Sequence, residues 1–230
     1  MAKKIKYTDK QGNAVTLEEL LKGKSPEQTK AIKFFHGIPI KEGCFKKEYL
    51  KGEAYLQIVK EKQGKIDLKE RALQKLGVDE DQVREIEPVC LVGFRDDHSK
   101  IKSYPGYFVG GTLVSSVYEV TWIFFGDDQV YVYNHAFDTT DESLVDATRE
   151  YFYKDITAFA TSSNSIQKKV WVVKEQGCST SRVSEMRMMN SELFRIVVPG
   201  EVFECAYRDQ GHSAEMISAM KQKLRDKKQQ

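Results

Sequence analysis

The chain is poor in the residues that advertise chemistry. Its 230 residues include four cysteines, four histidines, two tryptophans and five prolines. Cys44, Cys90, Cys178 and Cys205 are scattered, with no C-x-x-C pair, which removes the usual signs of a zinc clip or a dithiol exchanger. They read as reduced thiols, and Cys90 and Cys205 sit in apolar runs where cysteine packs as a small hydrophobe. His36, His98, His135 and His212 never fall at a ligand spacing on one element. Cys205 and His212 flank a strand-to-helix junction, but structural zinc takes ligands paired close in the chain, so no metal is expected. There is no G-x-S-x-G. Gly177-Cys178-Ser179-Thr180-Ser181 sets a thiol among hydroxyls without a histidine beside it, and reads as a polar connection between strands. Gly110-Gly111 belongs to neither a phosphate loop nor a dinucleotide fingerprint. No catalytic residue and no cofactor are expected.

Charge of one sign is also missing. Thirty-six Lys and Arg against 34 Asp and Glu leave a net charge of +2, too little to steer the molecule toward nucleic acid or membrane. The basic tail at 221–228 alternates lysine with Gln, Leu and Asp, as the wet side of an amphipathic helix does, so a nucleic-acid partner is not expected. No apolar run approaches the ~20 residues of a membrane span. The first residues, MAKKIKYTDKQG, carry lysines with no apolar stretch behind them; no secretory leader is expected, and the chain reads as cytoplasmic. Asp138-Thr139-Thr140-Asp141-Glu142 lacks the glycine and the twelfth-position Glu of a calcium loop, that place being Arg149. It reads as solvated loop, and 138–149 as loop or short helix.

What is present is pattern. Thr16-Leu17-Glu18-Glu19 and Ser25-Pro26-Glu27-Gln28 have the capping-box form, the second with proline at the first helical position. The second helix is expected to stop at His36-Gly37. Phe45, Tyr49, Gly52, Leu56 and Val59 fall on one helical line and predict a helix over 45–62. Leu68, Ala72 and Leu76 predict another, closed by Gly77. After Glu87-Pro88 the period changes from 3.6 to 2. Residues 1–87 therefore read as a helical N-terminal unit and 88–230 as a β domain.

Strands are expected at 89–94, 117–125, 129–137, 150–160, 167–173, 192–198 and 202–207, then a helix over 212–227. Its buried stripe is Ala214, Ile217, Met220 and Leu224. In 129–137, Val130 and Val132 face one way, Tyr131 and Tyr133 the other. In EYFYKDITAFATSS (150–163), Lys154 and Asp155 fall on opposite faces of the expected strand and so do not pair. Seven short strands closed by an amphipathic helix resemble a bacterial PH-like (pleckstrin-homology or GRAM-like) domain. YFYKDITAFAT and AEMISAMKQKLRDKK resemble one of its strands and its capping helix, over roughly 89–227. The fold class this implies is α+β: a helical N-terminal unit followed by a PH-like antiparallel β-barrel of about seven strands with a C-terminal capping helix.

Function is expected to be binding. Lipid-binding members of that family use basic residues after the first barrel strand. Here Lys100 and Lys102 stand there behind Asp96-Asp97, so a protein partner is favoured over lipid or an anionic surface. Tyr131 and Tyr133 are anchor material if exposed on the sheet, although packing of that face against the N-terminal helices is the favoured reading; Met186, Met188 and Met189 form a soft apolar segment suited to an adaptable partner, or to core filling, its commoner use. The rival reading is an enzyme whose residues converge from distant segments at the seam between the helical unit and the barrel.

Overall fold

The structure is a computed structural model that describes residues 7–43, 47–83, 86–96, 98–104, 107–109, 112–176, 179–207 and 213–228. Of these, 107–109, 112–113, 164–166, 168–176, 179–184, 187, 189–191, 213–214 and 228 are described by their backbone.

In chain order the elements are β1 (Tyr7–Thr8), β2 (Ala14–Val15), α1 (Leu17–Leu21), α2 (Pro26–His36), β3 (Lys41–Glu42) and β4 (Lys47–Glu48). There follow α3 (Gly52–Gln63), α4 (Leu68–Leu76) and a 3-10 turn at Glu80–Val83. Then come β5 (Val89–Arg95), β6 (Tyr107–Val109), β7 (Thr112–Val114), β8 (Val117–Phe125), β9 (Gln129–Asp138), β10 (Leu144–Phe152), β11 (Ala158–Gln176), β12 (Ser179–Val198), β13 (Glu201–Ala206) and α5 (Ser213–Lys228).

The helices begin and end where side chains satisfy their free amides and carbonyls. Thr16 and Ser25 both complete reciprocal capping boxes, Pro26 opens α2, and Gly37 closes it in the left-handed conformation at φ 57°. Asp67 caps α4 by accepting from the amides of Lys69 and Glu70, and Gly77 ends it at φ 68°. α3 is shorter than its periodicity predicts. It starts at Gly52, while Lys47 and Glu48 pair with Glu42 and Lys41 in a small ladder. Glycine is a poor helix interior residue but tolerable in a first turn. The buried face is then Tyr55, Ile58 and Val59, with Leu56 at its border; Phe45 lies outside the described residues.

Two antiparallel sheets carry the second part. One is four-stranded in the order β10-β9-β8-β5; the other is three-stranded in the order β11-β12-β13. Among the described residues no ladder closes the two into a barrel. The residues at 144–152 are a strand rather than loop or helix, paired with β9 from Leu144↔Phe137 to Phe152↔Gln129. Their alternation was hidden by acids and hydroxyls at every second position. The segment 150–160 is two strand ends joined by a turn. The amide of Asp155 bonds the Phe152 carbonyl (3.0 Å) and that of Ile156 bonds the Tyr153 carbonyl (3.2 Å). This frees Lys154 and Asp155 to sit exposed at the turn while Tyr151, Tyr153, Ile156 and Phe159 enter the core. Strands expected at 167–173 and 192–198 are parts of one long hairpin, β11–β12, in continuous register from Ala158↔Val197 to Gln176↔Ser179.

The main core lies between the sheets. Ile123, Phe125, Val130 and Val132 of the four-stranded sheet meet Phe194, Ile196, Phe203 and Cys205 of the other. Ile217, Met220 and Leu224 of α5 close the same cluster. The opposite face of the four-stranded sheet is also covered. Leu68, Ala72 and Leu76 of α4 pack on Val120, Phe124 and Tyr133, and α2 and α3 pack around Phe137 and Val114. A nine-residue helix such as α4 is marginal alone. Burying two leucines, at roughly 1.5–3 kcal/mol each, is enough to hold it on the sheet.

β5 and β13 approach closely where the sheets meet. A Cβ on Gly93 would come 2.8 Å from the Ala206 Cβ and 3.1 Å from its carbonyl carbon. Backbone cannot yield there as a flexible side chain would. Gly93→Val is therefore expected to destabilise the fold by about 1–3 kcal/mol in urea unfolding, whereas Gly12→Ala, with open space around it, is a control that reports only the strain of its φ of 90°.

Candidate functional site

The ionisable residues gather at the seam between the helices and the four-stranded sheet. The centre is Asp138, the last residue of β9, fully buried. One carboxylate oxygen accepts from Lys10 Nζ at 2.6 Å and Ser116 Oγ at 3.0 Å; the other accepts from the Thr140 amide at 2.6 Å and the Thr140 hydroxyl. Lys10, brought in by the β1–β2 turn, also reaches Asp141 Oδ2 at 2.6 Å. Lys62 at the end of α3 donates to the carbonyls of Asp138 (2.6 Å) and Asp141 (2.8 Å). Tyr55 of α3 donates its hydroxyl to the Ser115 carbonyl at 2.7 Å and lies 3.0 Å from Thr139 Oγ1. Gln28 of α2 donates to Glu142.

The loop expected to be solvated is thus the anchor of the helical unit. Burial pulls the Lys62 ammonium below the usual lysine range, against the neighbouring acids that favour its charge. Burial alone would raise Asp141; its bonds to Lys10 and Ser143 outweigh that and hold it at about 2. These carboxylates are turned onto lysine ammonium groups, and among the described residues no group of three or more His, Cys, Asp or Glu is placed to hold a metal ion.

A second cluster lies farther along the seam. Asp146 of β10 pairs across the ladder with His135 of β9. Its Oδ1 lies 2.6 Å from His135 Nδ1 and accepts from the Tyr133 hydroxyl at 2.8 Å, while its Oδ2 accepts from Arg71 of α4. Arg71 Nε also donates to the Tyr133 hydroxyl at 3.1 Å. Burial works to raise Asp146, but His135, Arg71 and Tyr133 together hold it at about 2. Burial, with Asp146 beside it, pushes the Tyr133 phenol up to about 12. An Asp–imidazole pair can orient a general base. Here the Asp146 carboxylate is also held by Arg71 and the Tyr133 hydroxyl, so the cluster ties α4 to the sheet.

A second buried acid, Glu119, joins the two sheets. It accepts from Asn134 Nδ2 at 2.9 Å and from the Ala206 amide of β13 at 2.6 Å, with Arg95 Nη1 3.7 Å away. Nearby, burial pushes up the Cys205 thiol, with Glu119 adding to it, and burial alone takes the Cys90 thiol to about 11. Both thiols stay protonated, which suits packing rather than nucleophilic attack.

The residues expected to bind fall on three different elements. Tyr131 is half-buried against the α4 cluster and Tyr133 is fully buried, so this face is covered by α4, as the helix-packing reading of it expects, and is not an exposed anchor. Lys100 and Lys102 are exposed between β5 and β6, where the His98 Nδ1 accepts from the Lys100 amide (3.2 Å) and the Ile101 amide (3.1 Å). Met186 and Met188 of β12 are 56% and 58% exposed; the side chain of Met189 lies outside the described ones. His98 lies in the segment after β5 and His135 on β9, and Cys178 lies outside the described residues. Sequence reasoning missed Lys10, Lys62, Arg71 and Asp146, because a lysine near a chain end or on a helix reads as solvated until a buried acid is found opposite it. Among the described residues no helix is long and apolar enough to cross a membrane. Comparisons with protein-family models, with curated proteins and with solved structures found no match.

Removing the Asp138 carboxylate leaves Lys10 half-paired and the Thr140 and Ser116 donors unmet. Asp138→Ala is expected to cost about 3–5 kcal/mol in denaturant unfolding, while Lys47→Ala, on an exposed pair, shifts it by no more than a few tenths. Asp141 and Asp146 are both depressed relative to the ordinary carboxylate value of about 4. Their contribution is therefore complete above that value and is lost as pH falls from about 4 toward about 2. Acid titration of thermal stability should show this loss, and an Asp141→Asn/Asp146→Asn double variant should show a shallower acid slope than wild type.

Proposed function

We propose that this chain is a protein-interaction module built on a PH-like domain, with the N-terminal helices as a layer on its first sheet. Four antiparallel strands, then three, then a helix that shares the inter-sheet core support the PH-like reading. The observation that carries the interaction reading is the exposed methionine pair on β12. β13 pairs with β12 from Leu193 to Val198, so, among the described residues, 179–192 have β11 alone as a ladder neighbour, over roughly 45 Å of strand. Met186 and Met188 lie two apart and share a face there, both more than half exposed. Methionine adapts to partners of varied shape. A protein laid on this ribbon would cover the methionines. The same reading makes the molecule a cytoplasmic bacterial protein. Lys100 and Lys102 are the alternative contact, for an anionic surface.

Affinity capture from the native cytoplasm at low and high salt, with wild type beside Met186→Lys/Met188→Lys, tests this. A stoichiometric protein that survives high salt with wild type and is lost with the double variant, at unchanged melting temperature, is the expected result. The same capture by both proteins, or none by either, overturns it. A capture lost in salt and sensitive to Lys100→Gln/Lys102→Gln would move the contact to the anionic alternative.

A further inference from the structure

The main-chain groups of β12 show which of its residues face the edge that β13 leaves uncovered. The Tyr207 amide bonds the Glu192 carbonyl at 3.1 Å, so Glu192 turns its main chain toward the β13 side. In an antiparallel strand every second residue points its N–H and C=O the same way. The register of β12 with β11 runs unbroken from Ser179 to Val198 for the residues that β11 spans. Ser184, Met186, Met188 and Asn190 therefore turn their amides and carbonyls to that side as well. The β13 ladder reaches Leu193, and the next element, α5, belongs to the main core. Among the described residues no strand takes up these groups. The same period puts the Met186 and Met188 side chains in phase with Phe194 and Ile196, which are fully buried, while the two methionines are more than half exposed. The core face of the strand thus continues past the end of the core.

An open edge is a template for another strand. Among the described residues β11 is an end strand too. It carries Lys168, Lys169 and Lys174 against one acid, Glu175, and lysine is the residue that natural edges use against pairing. β12 is balanced around its methionines, where Glu185 and Arg187 flank Met186. A strand can pair antiparallel with its own copy about a twofold axis that sets one residue opposite itself. With Met186 on that axis, Glu185 of each copy stands opposite Arg187 of the other, twice by symmetry, and Ser184 stands opposite Met188. A shift of the axis by one residue sets Glu185 or Arg187 against its own copy instead. The 185–187 positions are the non-hydrogen-bonded ones of such a pair, where side chains approach closest. Glu185 has a contact within its own chain as well; a carboxylate has several acceptor sites, so the second copy's guanidinium adds to that contact and does not displace it.

We propose that the protein partner of the methionine ribbon is a second copy of this chain, β12 against β12 in an antiparallel pair centred on Met186; this rests on the interaction reading above and names its partner. Sedimentation equilibrium of the full chain tests it. Wild type is expected to associate reversibly from 26.4 kDa to twice that mass at micromolar concentration. Glu185→Lys and Arg187→Glu each set like charges opposite one another at both symmetric positions, and each should dimerise about tenfold more weakly or worse. Mixed together, the two variants bring opposite charges face to face again. They should form a heterodimer of near wild-type strength, which also shows that both are folded. A monomeric wild type, a dimer indifferent to both reversals, or variants that do not recover on mixing overturns the proposal. A monomer whose capture of a different protein still depends on Met186 and Met188 overturns it too, and leaves the wider interaction reading in place.

Discussion

Asp138 puts a carboxylate at the end of a central sheet strand with no exposure to water, and the placement of the N-terminal third follows from what that requires. An unpaired buried carboxylate costs several kcal/mol. Here the cost is met by Lys10 from the first turn, by Ser116 from the link into β8, and by the amide and hydroxyl of Thr140. Lys62 then ties the carbonyls of the same loop to α3. Segments 128 residues apart in the chain are brought to one point. The acidic loop is therefore a socket, and the helices are the parts that plug it.

The two central strands of the four-stranded sheet, β8 and β9, are covered on both faces, which explains why they read VYEVTWIFF and QVYVYNHAFD. A sheet buried on both sides must carry its polar residues inward, and each such residue then needs a partner. Glu119 with Asn134 and the Ala206 amide, and Asp146 with His135, Tyr133 and Arg71, are those partnerships. They hold the second sheet on one face and α4 on the other, and they add direction to apolar contacts that by themselves tolerate sliding. The exposed methionines on the long hairpin are left out of these ties.

Much of the local structure was legible. Thr16 and Ser25 cap as their spacing predicts, Gly37 and Gly77 end their helices, and Val117–Phe125 is a strand over the whole expected range. Val130 and Val132 face the main core, and Ile217, Met220 and Leu224 form the inner stripe of the last helix. The failures have a common cause. Leu144–Phe152 alternates, but with Asp146, Thr148 and Glu150 on one face, a pattern that resembles solvated loop unless another element is known to cover it. Gly52 broke a helix line that continued on paper because residues 47–48 had a better hydrogen-bonding partner in 41–42.

The sequence by itself determined where most helices start and stop, which residues of the central strands turn to the core, and that the chain is mixed α and β. These properties depend on neighbours within a few residues: a hydroxyl three positions from an amide, an alternation of apolar side chains, a glycine that accepts positive φ. The tertiary structure decided that an acidic loop is a docking point, that Tyr133 is buried rather than displayed, and that Lys10, Lys62 and Arg71 are paired rather than solvated. A charge has no preferred partner until the fold has removed water from around it, and only the packed molecule says where the water is gone.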